Sequence, residues 1–299
     1  MDKNMIEIEG LKFSYGKDEV LRGVNLQVPE GSIFGFLGRN GAGKTTTIKL
    51  LLGLLKPNGG FCRIEGIDPQ KDAIQARRIV GYMAEDQQMY GWMRVEQIVK
   101  WVASFYPGWD DKFTNHLLDM LELPRKSKVK SLSKGQNSRL ALLLALGHRP
   151  KVVILDDPTL GLDPIARKEF LRYVIGLLQT NGVTVFFSSH LLYEIEPVAD
   201  YVAILDKGTI IKAGRTFDWR ESVRKIILNT SENNFSKIEG ILDVSKMGER
   251  VALTVENCST EKIGKIKASY GGFARETGLN LDEIFEAYVI GNRGEVSGI

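Results

Sequence analysis

The apolar positions along the chain change period several times. Residues 6–8, 11–15, 24–28, 32–37 and 61–64 are short β-branched or aromatic stretches bounded by glycine turns, which predicts strands. Between the last two, residues 44–55 carry Leu and Ile at helical spacing. Residues 95–130 read as all helical: Ile98, Val99, Val102, Phe105 and Tyr106 share one face, and Leu117, Leu118 and Leu121 continue it. The pattern then alternates: a helix over 134–147, a strand over 152–155, a helix over 164–179 with proline at its start, and a strand over 183–187. A helix over 191–199 and strands over 201–205 and 209–213 follow. Strand–helix alternation of this kind predicts a parallel α/β sheet covered on both faces, with a helical insertion in its middle.

After about residue 217 the character changes. Residues 223–228 and 251–255 alternate weakly, like strands of a small antiparallel sheet. Asn280 is placed to cap a last helix with Leu281, Ile284, Phe285 and Tyr288 on one face. No repeat or low-complexity segment breaks the chain.

Composition narrows the picture by exclusion. Of 299 residues, 43% are hydrophobic and 26% charged, as in an ordinary globular chain, and 31 glycines imply many turns or close backbone approaches. A net charge of +3 gives no sign of a nucleic-acid partner. Two cysteines, Cys62 and Cys258, with no CxxC pair, argue against a disulfide framework or a thiolate zinc site. The longest apolar run, 140–146, is too short to span a bilayer, and the polar start is unlike a signal peptide. The expectation is a soluble, cytoplasmic chain that reaches a membrane only through a partner.

The chemistry lies in two strings. Gly38-Arg39-Asn40-Gly41-Ala42-Gly43-Lys44-Thr45 fits G-x-x-x-x-G-K-[ST], entered by a strand and left by a helix. Glycines let backbone N–H groups point inward, and the helix dipole adds to them, so the loop holds phosphate. Lys44 supplies a cation for the β- and γ-phosphates, and Thr45 a hydroxyl for Mg²⁺. The second string, Val152-Val153-Ile154-Leu155-Asp156-Asp157, is a buried-type strand ending in two carboxylates. Strand ends of parallel sheets open onto the ligand crevice. Asp156 is placed to hold Mg²⁺ through water, and Asp157 to act on the attacking water.

Five further strings join these: Leu132-Ser133-Lys134-Gly135-Gln136, Gly161-Leu162-Asp163-Pro164, Ser188-Ser189-His190, Glu85 after the strand 80–83, and Tyr15 before Gly16-Lys17. Over about residues 5–216 their order and spacing resemble the ATP-binding cassette of ABC transporters. The insertion and the extra C-terminal domain resemble bacterial exporter subunits with a separately encoded permease. The resemblance implies an α/β P-loop NTPase cassette over residues 1–217, with a mostly parallel core sheet, an antiparallel β subdomain and a helical insertion at about 95–130. A small α+β accessory domain over 218–299 follows.

It also implies roles. Tyr15 stacks on adenine, the loop from Gly38 through Thr45 and Thr46 holds ATP, and Thr45, Asp156 and Glu85 reach Mg²⁺. Ser133, Gly135 and Gln136 form a signature turn that closes on the γ-phosphate held by a second cassette, the same chain or a different one. Asp163 lies in the loop that crosses that interface. His190 contacts the γ-phosphate and orients water, so Asp157, His190 and Glu85 form the catalytic set. An integral membrane permease is the other implied partner, which puts the chain on the inner face of the cell membrane.

Three residues depart from the family pattern. Asp157 stands where Glu is usual, and a carboxylate set back by roughly 1.5 Å is a misplacement able to slow hydrolysis about 10²-fold. Glu85 stands where Gln is usual and is able to share the base role. Lys134 replaces the first of two usual glycines; at a helix start its side chain is expected to point to solvent.

Six aromatics fall between residues 90 and 109: Tyr90, Trp92, Trp101, Phe105, Tyr106 and Trp109. Most are expected in the core of the insertion. Trp92 and Met93, beside Glu85, are expected on an exposed groove that in the family receives a short permease helix. The basic residues Arg125, Lys126, Lys128, Lys130 and Lys134 read as a solvated loop face. Two functions remain open at this point: an ATPase driving export through a permease, and an ABC ATPase outside transport, including a slow-hydrolysing ATP sensor.

Overall fold

The computed structural model describes residues 3–179, 182–190, 195–230, 232, 234–270 and 273–291. They divide into two compact units, the described residues within 3–190 with 197–213, and those within 195–196 with 214–291. Most of the helix expected at 191–199 lies outside the described residues.

In the first unit, a six-stranded sheet has the order β5-β6-β7-β3-β8-β9. The strands are β3 (Ile33–Leu37), β5 (Val80–Met83), β6 (Val152–Asp156), β7 (Thr184–Ser189), β8 (Tyr201–Asp206) and β9 (Thr209–Arg215). The pairs β5–β6, β6–β7, β7–β3 and β3–β8 are parallel. All five residues of β6 are buried, as expected where helices cover both faces. Strand order sets the site: β3 and β6 flank β7, so the chain leaving each of the three converges at one edge.

A three-stranded antiparallel sheet, β2-β1-β4, is built from β1 (Asn4–Tyr15), β2 (Asp18–Pro29) and β4 (Gly59–Ile64). The two strands expected at 6–8 and 11–15 are one, with a register shift between Ile8 and Leu11. Helix α1 (Lys44–Leu51) stops four residues short of its expected end, because the N–H groups of Leu54 and Leu55 turn back to the Lys49 carbonyl. A short helix, α2 (Ala73–Arg78), precedes β5.

The insertion corrects a second expectation. It is not helical throughout: α3 (Val95–Ala103) and α4 (Asp111–Met120) are followed by turns and one 3₁₀ turn at Val129–Ser131. The N–H groups of Val95 and Glu96 donate to the carbonyls of Ser127 and Arg125, and those of Val129 and Lys130 to Met93 and Gly91. Backbone groups spent on closing the base of the insertion are not available to a helix. Asp110 caps α4 by accepting from Phe113 N–H at 2.9 Å.

Helix α5 (Lys134–Leu146) buries Leu140, Ala141, Leu142, Leu143, Ala145 and Leu146, and α6 (Pro164–Gln179) starts with its proline as the sequence predicts. The residue after α5 has to be glycine: a Cβ on Gly147 would lie 2.3 Å from Trp109 Cη2.

The second unit is an antiparallel sheet of order β11-β12-β10-β13, built from β10 (Arg224–Leu228), β11 (Ile241–Met247), β12 (Arg250–Val255) and β13 (Phe273–Gly278). Ile226, Leu228, Val251, Leu253 and Val255 pack with Ile263 and Ile266 of the helix Thr260–Tyr270 in one core. Asn280 caps the helix Leu281–Val289 in a reciprocal pair with Glu283, and Leu281, Ile284, Phe285 and Tyr288 are buried as expected.

Candidate active site

Gly43 precedes α1 at φ 112°, and a Cβ there would lie 2.6 Å from Leu21 Cδ2, so no other residue fits the loop at this position. The loop turns tightly, with Ala42 N–H donating to the Arg39 carbonyl at 3.1 Å. Lys44 is only 6% exposed; its ammonium donates to the Gly38 carbonyl at 2.9 Å and lies 3.6 Å from Asp157 Oδ2. The cradle thus carries its own cation, partnered within the loop.

Asp156 is fully buried at the end of β6. Its Oδ1 accepts from the Ser188 hydroxyl at 2.6 Å, while Oδ2 has no hydrogen-bond partner among the described residues. Burial pushes its pKa up and Asp157 adds to that, while Ser188, Thr45 and Lys44 pull it down. A buried carboxylate oxygen without a donor is costly, and beside a hydroxyl it suits a hard cation.

Asp157 stands at φ 43°, with its backbone N–H bonded to the Ser188 carbonyl at 3.1 Å. Oδ1 accepts from His190 Nδ1 at 2.8 Å and from His190 N–H at 3.2 Å, and Oδ2 faces Lys44. Both carboxylate oxygens are engaged. Glu85 is largely exposed; partial loss of hydration, then Asp157 and Asp156, raise its pKa against the pull of Lys44 and His190. Its carboxyl lies in the same field as the aspartate pair.

Tyr15, Arg39, Asn40, Gly41, Gly43, Lys44, Thr45, Thr46, Glu85 and Asp157, with Val20, line one cavity of about 450 Å³. Tyr15 is half exposed, and Phe13 meets its ring edge-on at a centroid distance of 4.8 Å. Ser133, Gly135 and Asp163 are not brought to that cavity. They line a second one of about 280 Å³, in the same unit, with Lys134, Gly161 and α6. Ser133 accepts from Gln136 N–H at 3.1 Å while Gln136 accepts from Ser133 N–H at 3.0 Å, a complete capping box. Asp163 Oδ1 accepts from Ile165 and Ala166 N–H, which fixes the start of α6.

A family model described as ABC transporter matches residues 21–160. The bacitracin transport ATP-binding protein BcrA of Bacillus licheniformis is 36% identical over 210 residues, 70% of this chain and 69% of that protein. The chain belongs to the ABC transporter ATP-binding family. A second relative of this ABC protein, the ABC transporter ATP-binding protein YtrB of Bacillus subtilis strain 168, is 27% identical over 291 residues, 97% of this chain and 99% of the relative. A solved structure of the ATP-binding subunit of an ABC transporter superposes with TM-score 0.66 at 29% identity, covering 73% of this chain and 92% of that one. An AAA-domain model, described as putative AbiEii toxin, Type IV TA system, also matches residues 125–196. Cassettes of the ABC family bind and hydrolyse nucleotide, and no described helix of this one is long and apolar enough to cross a membrane.

Sequence reasoning gave Ser188 no role, although this ABC protein uses it to hold Asp156 and the backbone of Asp157. The signal was faint: Ser188 matters because β7 neighbours β6, and strand order is not written in the motif. Trp92 is exposed as expected, whereas Tyr90, Trp101 and Phe105, expected in the core of the insertion, are exposed with it, the four spanning 40–67% exposure. They form a continuous ladder with centroid spacings of 6.2, 5.1 and 5.0 Å. Tyr106 and Trp109 are the inward pair, Tyr106 stacking on buried His148 at 4.1 Å. Periodicity marks one face of α3 as apolar but does not say what covers it. Arg125 of the basic cluster is tied to Asp119 at 2.7 Å, whereas Lys126, Lys128 and Lys130 are exposed.

Proposed function

We propose that the chain is the ATP-hydrolysing subunit of an exporter, driving a separately encoded membrane permease. The observation that carries this is the convergence of Tyr15, the phosphate loop, Glu85 and Asp157 on one cavity. Adenine stacks on Tyr15, and the loop N–H groups and Lys44 hold the phosphates. Thr45, Asp156 and Glu85 are the groups suited to Mg²⁺, which neutralises phosphate charge when bound.

The family's usual Glu and Gln are exchanged here in kind: the short carboxylate is at 157 and the long one at 85. Asp157 is held by His190 and Lys44 and fixes the imidazole, while Glu85, with no such anchor, takes the proton from the attacking water. Glu85 and Asp157 thereby share what one Glu does in the usual pattern, and His190 orients the water.

Ser133 and Gly135 face a separate cavity and serve the terminal phosphate bound by a second cassette, so hydrolysis needs two. Closing and reopening of the pair drives the permease, docked on the ladder formed by Tyr90, Trp92, Trp101 and Phe105. The named functions of the relatives, bacitracin and lantibiotic transport, support export as the direction. The test is MgATP hydrolysis against chain concentration. A rate rising with the square of dilute protein supports the two-cassette reading; strict proportionality overturns it.

A further inference from the structure

Strand β7 places Ser188 level with Asp156 of β6 on one side and Phe36 of β3 on the other, and all three are fully buried. Side chains at registered positions of neighbouring strands share one face. Asp156 therefore stands in a row whose other members are a hydroxyl and an aromatic ring. Strand β5, on its far side, ends at Met83 opposite Leu155, so no residue of that strand stands opposite Asp156. A buried carboxylate needs a donor. Among the flanking strands Ser188 provides it, its hydroxyl donating to Asp156 Oδ1 at 2.6 Å.

The hydroxyl has a set direction. Asp157 N–H donates to Ser188 Oγ at 3.2 Å as well as to the Ser188 carbonyl at 3.1 Å. A serine hydroxyl has one hydrogen and two lone pairs. With Asp157 on its acceptor side, the hydrogen is left for Asp156. Two residues on, His190 holds the Asp157 carboxylate through its ring and its backbone N–H. The end of β7 and the residue after it thus fix the two acids separately, and Asp156 Oδ2 keeps no hydrogen-bond partner among the described residues. We propose that Ser188 is a positioning residue for Mg²⁺: its hydroxyl selects the rotation of the Asp156 carboxylate that keeps Oδ2 free for the cation. Ser188 acts through Asp156 and not on the nucleotide. Without the hydroxyl no side chain of a flanking strand holds that rotation, and ordering the carboxylate falls on the cation itself. This rests on the reading of Asp156 as a magnesium ligand.

The test is titration of a fluorescent ATP analogue into the full-length chain, once with excess Mg²⁺ and once with EDTA. The ratio of the two affinities is the gain due to the metal. Ser188→Ala is expected to cut that gain by about tenfold to 10²-fold while the affinity in EDTA stays that of the parent. Ser188→Thr keeps a hydroxyl on a β-branched residue suited to a strand and is expected to keep the gain. In a chain already carrying Asp156→Asn, Ser188→Ala is expected to remove nothing further. A Ser188→Ala chain with the parent's gain overturns the proposal. So does an equal fall with and without metal, which would make Ser188 a support of the fold alone, or a loss in Ser188→Thr as deep as in Ser188→Ala, or a further loss on top of Asp156→Asn. A parent chain whose nucleotide affinity is the same in Mg²⁺ and EDTA overturns the reading of Asp156 itself and Ser188's role with it.

Discussion

His190 Nδ1 lies 2.8 Å from Asp157 Oδ1, and the His190 backbone N–H donates to the same oxygen at 3.2 Å. This pairing depends on a short side chain at 157. Asp157 sits at φ 43°, in the left-handed region that Asp tolerates better than longer residues, and one more methylene would carry its oxygens past the imidazole. Asp157→Glu is therefore expected to lower kcat, not to raise it.

Glu85→Gln is expected to lower kcat by about 10²-fold or more, the usual contribution of a general base, while nucleotide binding persists. The double variant Glu85→Gln, Asp157→Glu restores the usual family pair and is expected to exceed the Glu85→Gln single variant. Steady-state hydrolysis of all four chains reads the coupling. Simple additivity of the two losses would show that 85 and 157 do not share one role.

Lys44→Ala removes the cation from the cradle and leaves Asp157 Oδ2 with its nearest positive charge gone. MgATP affinity is expected to fall by roughly tenfold to 10²-fold, the range for losing a charged hydrogen bond. Titration of a fluorescent nucleotide into the folded variant checks it, and unchanged affinity would contradict the cradle.

The phosphate loop was legible because Gly38 to Thr45 is contiguous and its chemistry is local. The Asp156–Asp157 strand end was legible because an apolar run closing on two acids has few other uses. Three things were not. The strand at Ile241–Met247 and the helix Thr260–Tyr270 have weak periodicity and are fixed by packing on Leu253 and Val255. The exposure of Trp101 and Phe105 depends on which face of α3 the core covers. Lys134's position over Gly161 joins residues that are 27 apart in the chain, and only the fold brings them together.

His148 is buried, stacks on Tyr106, and among the described residues makes one hydrogen-bond contact, Nε2 to the Val80 carbonyl at 3.2 Å. Burial holds its pKa below the ordinary 6.5, with the Val80 carbonyl opposing. Below pH 6.5 the unfolded chain takes up the proton before the folded one does, so stability is lost as pH falls from 6.5 towards the lowered folded pKa. His148→Gln is expected to remove that part of the slope. Urea midpoints at about pH 7.5 and about pH 5.5 check it; an equal drop in parent and variant would contradict the buried neutral imidazole.

The most direct test is affinity purification of the tagged chain from detergent-solubilised membranes of its own cells, with a Trp92→Ala, Trp101→Ala variant beside it. The account predicts an integral membrane protein in stoichiometric amount with the parent and its loss with the variant. Recovery of soluble partners or ribosomes alone, with no membrane protein, would contradict transport as the use of this ATPase.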